Sequence, residues 1–439
     1  MDAASPILER IEALHPKSID LSLGRLERLL GALGNPEKNL PPVIHIAGTN
    51  GKGSVSAMLR AACEADGKRT HVYTSPHLVR FNERIRLGAE EGGALVSDET
   101  LTAALQHAEH INDGSEITFF EITTAAALLL FAENPADVLI LETGLGGRLD
   151  ATNVVETPLA SVLTTIGFDH MGFLGTTLAE IAAEKAGIIK RAVPVISAPQ
   201  KSDVASVIER HAARYNAPLH LGGADWSVLQ EHGHTVFQDN DGLIDLAEPR
   251  LFGRHQFINA GVAIATLRTT GFVTDPKSIE RGIVGADWPG RMQRLTKGKI
   301  LEFAPTESEV WLDGGHNADA GEAVATAMAD LEERVPRPLF LIAGMLATKD
   351  PTGYFRAFGG LTRHVFTVRV PGSTATIEAA ALADAAEAAD LSAEPVASVK
   401  TALRLLAENW RFEPPPRILI CGSLYLVGDV LAQNGTPPV

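Results

Sequence analysis

A glycine-rich run with one lysine and a serine just beyond it is the part of this chain best suited to phosphate chemistry. The run is Gly48-Thr49-Asn50-Gly51-Lys52-Gly53-Ser54. It lies between an apolar, strand-like segment, Val43–Ala47, and a helix-compatible segment that begins at Val55. Glycines let backbone N–H groups converge on an anion, a helix N-terminus adds partial positive charge, and Lys52 adds a full charge. The run therefore predicts a nucleoside triphosphate site in which Ser54 can ligate Mg²⁺.

The spacing of this run differs from the common P-loop pattern GxxxxGK[ST]. Gly53 stands between the lysine and the hydroxyl of Ser54. The alternative interpretation is a chance glycine turn at a strand–helix junction.

Three polar side chains stand at the ends of predicted elements in the first half of the chain. Glu142 follows an apolar run and could reach the same cation as Ser54, because the carboxyl ends of parallel strands line the ligand crevice. Alternatively, it caps the glycine-rich turn 144–148. His170 also follows a strand-like run, but such a residue is more often structural, and Mg²⁺ prefers oxygen ligands. Lys185 ends a helix-like run, where a lysine commonly complements the helix dipole at the surface.

The second half of the chain offers a similar group of polar residues. Asp313 and His316 lie between the strand-like run 310–312 and a predicted helix. An acidic group at a strand end can bind the hydroxyls of a ribose, and His316 would face the same crevice. The alternative for Asp313 is a plain helix cap. Arg291 could reach phosphates from the edge between the two halves.

Apolar and amphipathic runs alternate along most of the chain, which indicates an α/β fold. Because the strand-like runs are almost continuously apolar, we expect a mostly parallel sheet covered on both faces. The strands predicted for the first domain are 43–47, 70–74, 137–141, 159–164 and 193–197. Its predicted helices begin near Ser5 and Ser22 and continue with 55–66, 99–111, 119–132, 177–186, 204–214 and 256–269. Residues 218–250 are polar and punctuated by glycine, and they predict a small antiparallel appendage.

A second, smaller α/β unit follows, and it has no phosphate loop of its own. Its predicted strands are 299–303, 310–312, 339–343, 364–370 and 417–421. Its predicted helices are 318–331, 376–388 and 399–409. With a linker near residues 296–298, we expect an ATP-binding P-loop domain over 1–296 and a Rossmann-like C-terminal domain over 297–439.

Composition excludes several classes of partner. The formal net charge of −16 argues against nucleic acid, although the segment 80–86 gathers arginines locally and could bind a small anion or form a solvated loop. The sequence contains no apolar run long enough to span a membrane and no signal-peptide pattern at its start. The only two cysteines, Cys63 and Cys421, lie in apolar elements and favour a reducing, cytoplasmic location.

Ten segments in order make the chain resemble the folylpolyglutamate synthase/dihydrofolate synthase family, within the Mur ligase group. They are HIAGTNGKGS (45–54), YTSPHLVRFNERI (73–85), TFFEITTAAALLLF (118–131), ETGLGGRLDATN (142–153), TTIGFDH (164–170), AAEKAGIIK (182–190), GRHQFINA (253–260), WPGRMQR (288–294), DGGHN (313–317) and CGSLYLVG (421–428). In these ligases, ATP phosphorylates a carboxylate of the folate-side substrate. The α-amine of L-glutamate then attacks the acyl phosphate.

The resemblance also implies roles for individual residues. It implies ATP and two Mg²⁺ ions as cofactors, with K⁺ as a further candidate, and it makes Lys185 a carbamylated metal ligand. The matched metal positions are Ser54, Ser75, Glu142, His170 and Lys185. The matched ATP positions outside the phosphate loop are Asn259, Arg291 and Asp313. Catalytic roles fall to Lys52, Lys185 and His316.

Substrate contacts follow from the same resemblance. The stretches that hold the pterin in bifunctional bacterial enzymes match Thr118, Phe119, Phe120, Glu121, Leu149, Asp150 and Ala151. Ser423, like His316, lies on the glutamate side. The partners implied are dihydropteroate, folates, L-glutamate and ATP, with a monomer as the default state.

Two other functions are alternatives to this one. Ligases of the Mur group that act on cell-wall nucleotide peptides or on a polymer generally add an N-terminal domain, for which we expect no room before residue 48. A P-loop NTPase without ligation chemistry is the rival of a different class. The sequence does not separate dihydrofolate synthase from folylpolyglutamate synthase activity, although residues 118–121 favour a bifunctional enzyme.

Overall fold

Mostly apolar runs form the central strands of the first sheet, because helices cover both of its faces. The computed structural model describes residues 5–14, 20–410 and 414–439. In that part of the chain, the first sheet has the strands β1 (Val43–Ala47), β2 (Thr70–Tyr73), β3 (Ile85–Leu87), β4 (Ala94–Leu95), β5 (Val138–Glu142), β6 (Ala160–Leu163), β7 (Val195–Ser197) and β8 (Leu219–Leu221). Their order is β4-β3-β2-β5-β1-β6-β7-β8, and only the β2–β3 and β3–β4 pairings are antiparallel. The mostly parallel sheet is therefore confirmed.

Helices pack on both faces of this sheet. They are α1 (Ser5–Glu12), α2 (Gly24–Ala32), α3 (Lys52–Ala65), α4 (Asp98–Asn112), α5 (Phe119–Glu133), α6 (Met171–Leu174), α7 (Leu178–Ala186), α8 (Ser202–Arg214), α9 (His255–Thr270) and α10 (Pro276–Gly285). One core includes residues of α3, α9 and α10, and another includes residues of α1, α2, α4 and α5. This packing holds β1 at the centre of the sheet.

The predicted antiparallel appendage is present. It consists of β9 (Ser227–Glu231), β10 (His234–Asp239) and β11 (Gly242–Ala247), with β10 in the middle. Trp226 and Phe237 stack at 5.8 Å and belong to the core that includes α9. The appendage is thus anchored to the first domain.

The second sheet lies in the C-terminal part of the chain. Its strands are β12 (Gln293–Leu295), β13 (Glu309–Asp313), β14 (Leu339–Ala343), β15 (Thr362–Thr367), β16 (Ala393–Pro395) and β17 (Arg417–Cys421), in the order β12-β13-β17-β14-β15-β16. The helices of this part are α11 (Ala318–Arg334), α12 (Pro351–Arg356), α13 (Ala379–Glu387), α14 (Val399–Asn409) and α15 (Leu424–Asn434). Only β12 is antiparallel to its neighbour. β12 (Gln293–Leu295) already belongs to the second sheet, so the chain leaves the first sheet before residue 297. The boundary between the two domains at residue 296 stays a prediction.

The predicted strand 299–303 is wrong, because Lys299–Phe303 is a 3₁₀-helix. Ile300 and Phe303 stand three residues apart, so the three-residue turn of a 3₁₀-helix places both on one face, toward the core that includes α14 and α15. The backbone N–H of Ile300 donates to Asn434 Oδ1 at 3.0 Å, so a side chain satisfies it instead of a neighbouring strand.

No helix within the described residues has both the length and the apolar character needed to cross a bilayer.

Candidate active site

The phosphate loop leaves the carboxyl end of β1, between β5 and β6. Gly51 has φ +90°, and a Cβ atom there would collide with the side chain of Asn259 on α9. The backbone N–H groups of Thr49 and Asn50 donate to the carbonyl of Thr165 at 2.9 and 3.1 Å, which ties the loop to the end of β6. The N–H groups left for an anion are those in the first turn of α3, which lack intrahelical acceptors.

Gly53 explains the unusual spacing of the loop. A Cβ atom at this position would meet the indole ring of Trp288. The residue between Lys52 and Ser54 must therefore be glycine for Trp288 to pack against the first turn of α3.

Glu142 ends β5 beside β1, where it is 4% exposed. Its Oε2 atom has no hydrogen-bond partner, which is costly for a buried carboxylate. Burial raises the pKa of Glu142 to about 7, although the charges of Lys52 and Arg291 oppose that rise. The alternative role as a cap of the turn 144–148 is wrong, because Asp150 Oδ2 accepts the N–H of Leu145 at 2.7 Å.

Lys185 is not a surface lysine. Its side chain is buried, and its Nζ donates to the carbonyl of Gly48 at 2.8 Å. Lys52 Nζ donates to the same carbonyl at 3.1 Å. Burial, together with the charge of Lys52, lowers the pKa of Lys185 to about 7. Two amines therefore meet at the start of the phosphate loop.

Asp169 links the two sheets, and sequence reasoning missed it. Its carboxylate lies 2.6 Å from Lys349 Nζ and 3.4 Å from His316 Nε2, and it accepts from Asn317 Nδ2 at 3.3 Å. Burial favours a raised pKa for Asp169, but the hydrogen bond from His316 and the neighbouring positive charges hold it well below its usual range. The only sequence signal was its place in the segment TTIGFDH, directly before His170.

His170 directly precedes the short helix α6 and has φ +50°. Its side chain is 38% exposed, and its Nε2 lies 3.5 Å from Lys349 Nζ. The structure thus places this predicted metal position beside the Asp169 contact, at the edge that faces the second sheet.

His316 is held by two acceptors. Its Nδ1 lies 2.9 Å from the carbonyl of Gly314, so Nδ1 carries a proton and donates. Its Nε2 faces Asp169. The ring is therefore fixed between its own loop and the first domain.

Asp313 is buried at the end of β13 and accepts two backbone N–H groups, from Met292 at 2.9 Å and from Gly315 at 2.7 Å. It is not the helix cap, because Asn317 caps α11 by accepting from Ala320 N–H at 2.9 Å. Arg291, next to Met292, lines a cavity between the sheets together with Ser75 and Glu142.

The other predicted nucleotide residue, Asn259, is buried on α9, and its Nδ2 donates to Gln256 Oε1 at 2.9 Å. Its Oδ1 lies against Gly51 in the phosphate loop. The side chain therefore supports the loop directly.

Several predicted substrate residues hold their own backbone in place. Thr118 and Glu121 cap α5 reciprocally, and Glu121 also forms an ion pair with Arg25 at 2.9 Å. Asp150 accepts from Thr152 Oγ1 at 2.6 Å as well as from Leu145. Ser423 caps α15 by accepting from Tyr425 N–H at 3.2 Å.

The other predicted pterin-binding residues differ in their exposure to solvent. Phe119, Phe120 and Leu149 are partly exposed, whereas Ala151 is buried. Phe120 lies directly against Gly144, where a Cβ atom would meet its ring. This brings the start of α5 and the turn after β5 together, as a pocket built from both stretches requires.

The donor set fits a hard divalent cation through its oxygens. Among the described residues, no three or more His, Cys, Asp and Glu side chains form a metal-binding group. The predicted set contains only Glu142 and His170 of those types, and its other members are two serines and a lysine. The unpartnered Oε2 of Glu142 is the observation that a bound cation would account for.

Comparisons with known proteins agree with this geometry. Residues 46–267 match the Mur ligase middle domain, and residues 297–433 match the dihydrofolate synthetase C-terminal domain. Folylpolyglutamate synthase from Lacticaseibacillus casei is 34% identical over 92% of this chain and 92% of its own. The structure of E. coli FolC in complex with DHPP and ADP has a TM-score of 0.86 at 31% identity, over 98% of this chain and 97% of that one.

A third relative carries a metal ion. It is the bifunctional folylpolyglutamate synthase/dihydrofolate synthase from Yersinia pestis complexed with AMPPNP and Mn ion, with a TM-score of 0.84 at 28% identity over 98% of each chain. With two family models, a close full-length relative and solved structures in agreement, this chain belongs to the folylpolyglutamate synthase/dihydrofolate synthase family of Mur ligases.

Proposed function

We propose that this chain adds L-glutamate to dihydropteroate, to folates or to both, in a reaction driven by ATP. The observation that carries the proposal is the meeting of Lys52 and Lys185 at the carbonyl of Gly48, beside the unpartnered carboxylate of Glu142. These groups lie at the edge of the first sheet that faces Asp313 and His316 of the second. A site of this kind brings a triphosphate and two further substrates together between two domains.

The chemistry follows from the weakness of a carboxylate as an electrophile. The acceptor carboxylate attacks the γ-phosphorus of ATP, and ADP leaves with the bridging oxygen. The α-amine of glutamate then attacks the acyl carbon, loses a proton and expels phosphate through a tetrahedral intermediate. Lys52 and Arg291 offset the negative charge that accumulates as the carboxylate approaches the triphosphate.

The nucleotide is assigned to the phosphate loop 48–54, with Arg291 at the phosphates, Asp313 at the ribose and Asn259 at the base or phosphate edge. His316 and Ser423 are assigned to the glutamate side. The contact of 3.4 Å between His316 and Asp169 supports a fixed imidazole there, so we add Asp169 as a positioning residue.

Ser54, Ser75, Glu142, His170 and Lys185 would hold two Mg²⁺ ions, and K⁺ remains a further candidate cofactor. When bound, such ions neutralise phosphate charge and orient the γ-phosphate for transfer. For Lys185 to act as a ligand, its neutral amine adds to CO₂ and releases a proton, which gives an anionic carbamate. Its burial against the Gly48 carbonyl, at the start of the phosphate loop, supports this role.

The pterin is assigned to the pocket between the start of α5 and the turn after β5. Phe119, Phe120 and Leu149 offer apolar contact, while Thr118, Glu121, Asp150 and Ala151 shape the backbone around it. A monomeric state and a cytoplasmic location stay predictions.

The test measures ADP release by the purified protein with dihydropteroate and with tetrahydrofolate as separate acceptors. We expect release only when ATP, L-glutamate and an acceptor are all present. Strong hydrolysis without acceptor or glutamate would favour a P-loop NTPase. Turnover with cell-wall nucleotide peptides but neither pterin would favour another Mur-group ligase.

A further inference from the structure

The phosphate loop makes a direct contact with the second domain through the side chain of Asn50. Its amide pairs reciprocally with the amide of Asn317, so that each Nδ2 donates to the Oδ1 of the other residue at 3.2 Å. The two residues are 267 positions apart, and Asn317 is the N-cap of α11, directly after His316. Two hydrogen bonds side by side fix the orientation of the two amide groups as well as their distance.

Asn317 uses its full hydrogen-bonding capacity at this contact. Its Oδ1 also accepts from the N–H of Ala320 at 2.9 Å, and its Nδ2 also donates to Asp169 Oδ2 at 3.3 Å. An asparagine side chain has two donor and two acceptor positions, so all four are occupied. Because Asn317 is only 6% exposed, the loss of one partner would leave a buried polar atom unpaired, which is unfavourable.

The backbone of Asn50 is bound to the protein and is not left for an anion. Its N–H donates to the carbonyl of Thr165 at 3.1 Å, as does the N–H of Thr49 at 2.9 Å. The anion is therefore left to Lys52 and to the first turn of α3. Asn50 belongs to the loop assigned to the nucleotide, but its contacts lead to the domain that carries the glutamate side.

The first turn of α11 packs closely against the segment that holds the phosphate loop. Thr49 Oγ1 donates to the carbonyl of Gly167 at 3.0 Å, and a Cβ atom on Gly167 would meet the carboxylate of Asp319. The ion pair between Asp169 and Lys349 lies beside this contact. That pair joins the domains through the loop after β6, whereas the amide pair reaches the phosphate loop itself.

We propose that Asn50 and Asn317 are positioning residues, whose amide pair couples occupancy of the phosphate loop to the placement of His316. A nucleotide that orders the loop orders Asn50, and the amide pair carries this order to the start of α11. His316 follows because it precedes Asn317 in the chain and faces the same oxygen of Asp169. Nucleotide and glutamate then favour each other's binding. The inference rests on the proposed function and adds to it the link between the two substrates.

The first test follows hydrogen exchange of the protein with AMPPNP and Mg²⁺ as the probe. In the wild type, we expect AMPPNP to slow exchange in the phosphate loop and also at residues 318–322, by at least about fivefold, as for two neutral hydrogen bonds. In Asn50→Ala, the slowing in the loop should remain, while the slowing at residues 318–322 should fall below about twofold. This readout does not depend on ligation.

The second test is a double-mutant cycle with Asn50→Ala and Asn317→Ser. Serine caps helices about as well as asparagine, so Asn317→Ser keeps the start of α11 and removes the amide. Each single variant should lower kcat/KM for L-glutamate at least about fivefold. In Asn317→Ser, KM for ATP should change less than about twofold, because Lys52 and the first turn of α3 are intact. The double variant should be no worse than the worse single variant, since either change already breaks the pair.

The matched control is Asn409→Ser, which removes an exposed amide that donates to the carbonyl of Leu405 within α14. It should alter neither exchange nor kinetics. The proposal is overturned if AMPPNP leaves residues 318–322 unchanged in the wild type, or if Asn50→Ala keeps the wild-type slowing there. It is also overturned if either single variant keeps the wild-type kcat/KM for glutamate, or if the two losses multiply in the double variant. A wild type that shows the slowing but ligates glutamate to no acceptor would reject the proposed function and leave the amide pair intact.

Discussion

At the scale of single residues, the environment of Lys185 can be tested most directly. Replacing it by alanine removes a buried amine that donates to the Gly48 carbonyl. If a carbamate on this side chain holds a cation, Lys185→Ala should lower kcat at least about a hundredfold, because transition-state charge is left without its counter-ion. Acetate or another short carboxylic acid should restore part of the activity, measured as ADP release.

The control for this rescue is Lys190→Ala, whose Nζ donates to the carbonyl of Asn153 outside the predicted metal set. Acetate should not stimulate that variant. Equal stimulation of the wild type and Lys185→Ala would count against the carbamate.

Gly53 gives a second prediction at this scale. An alanine in a helix normally gains up to about 1 kcal/mol over glycine. At position 53 the added methyl group would meet the ring of Trp288, so we expect Gly53→Ala to lower the free energy of unfolding and to raise KM for ATP. Urea unfolding and steady-state kinetics measure the two effects. Gly31→Ala, on a helix with open space at that position, is the control and should be neutral or stabilising.

At the scale of elements, β1 carries a buried histidine beneath the site. Thr152 Oγ1 donates to Asp150, so His45 Nε2 must donate to Thr152 Oγ1, at 2.8 Å. Its Nδ1 has no partner. Burial, helped by the charge of Lys190, lowers the pKa of His45 to about 3.

This burial makes stability depend on pH. The folded pKa of His45 lies below its unfolded value of about 6.5, so between these values the unfolded chain binds more protons and acid destabilises the fold. The difference in unfolding free energy between the wild type and His45→Gln should therefore shrink by about 2 kcal/mol as pH falls from 7 to 5. Urea unfolding at several pH values measures it. His110→Gln, at an exposed position on α4, should show no such trend, and a constant difference for His45→Gln would contradict the prediction.

Elements that an almost continuous apolar run defines were predictable. The strands β1, β5 and β13 and their terminal acids Glu142 and Asp313 follow from such runs, since a strand buried on both faces needs no alternation. The prediction of a strand over Lys299–Phe303 was wrong because the apolar spacing in so short a segment does not distinguish a strand from a 3₁₀-helix. The helix α10 was overlooked although Asp275 caps it and Pro276 opens it.

The candidate site was less predictable from local sequence. The local sequence around Lys185 is typical of a surface residue, and only tertiary packing places its side chain against Gly48. The cap of α11 is Asn317 and not the nearby Asp313. Asp169 lies in a loop without periodicity, so only the contacts across the two sheets identify it. Side chains whose partners come from the other domain carry no local signal.

At the scale of the whole molecule, two ion pairs of 2.6 Å join the described parts of the two domains, Asp169–Lys349 and Arg254–Asp330, and Arg254 is 65% exposed. Both side chains of the Asp169–Lys349 pair are about 10% exposed, at 11% and 9%. The neighbouring link between Lys201 and Asp319 spans 3.7 Å, with Lys201 60% exposed. Because a buried pair is costly to break and an exposed one is not, the relative position of the domains should depend mainly on Lys349.

Lys349→Met should therefore loosen the two domains without unfolding either. We expect a larger radius of gyration in small-angle scattering and a fall in kcat/KM for glutamate of at least about tenfold, because Asp169 no longer holds His316 in place and domain closure must be reached from a more open state. Lys201→Met removes a cation at the same interface and should alter neither quantity. If both variants behave alike, or if Lys349→Met keeps the wild-type dimensions and kinetics, the Asp169 contact does not set the domain arrangement. Since Asp169 also adjoins His170, a loss of metal affinity in Lys349→Met would show that closure and cation binding depend on the same carboxylate.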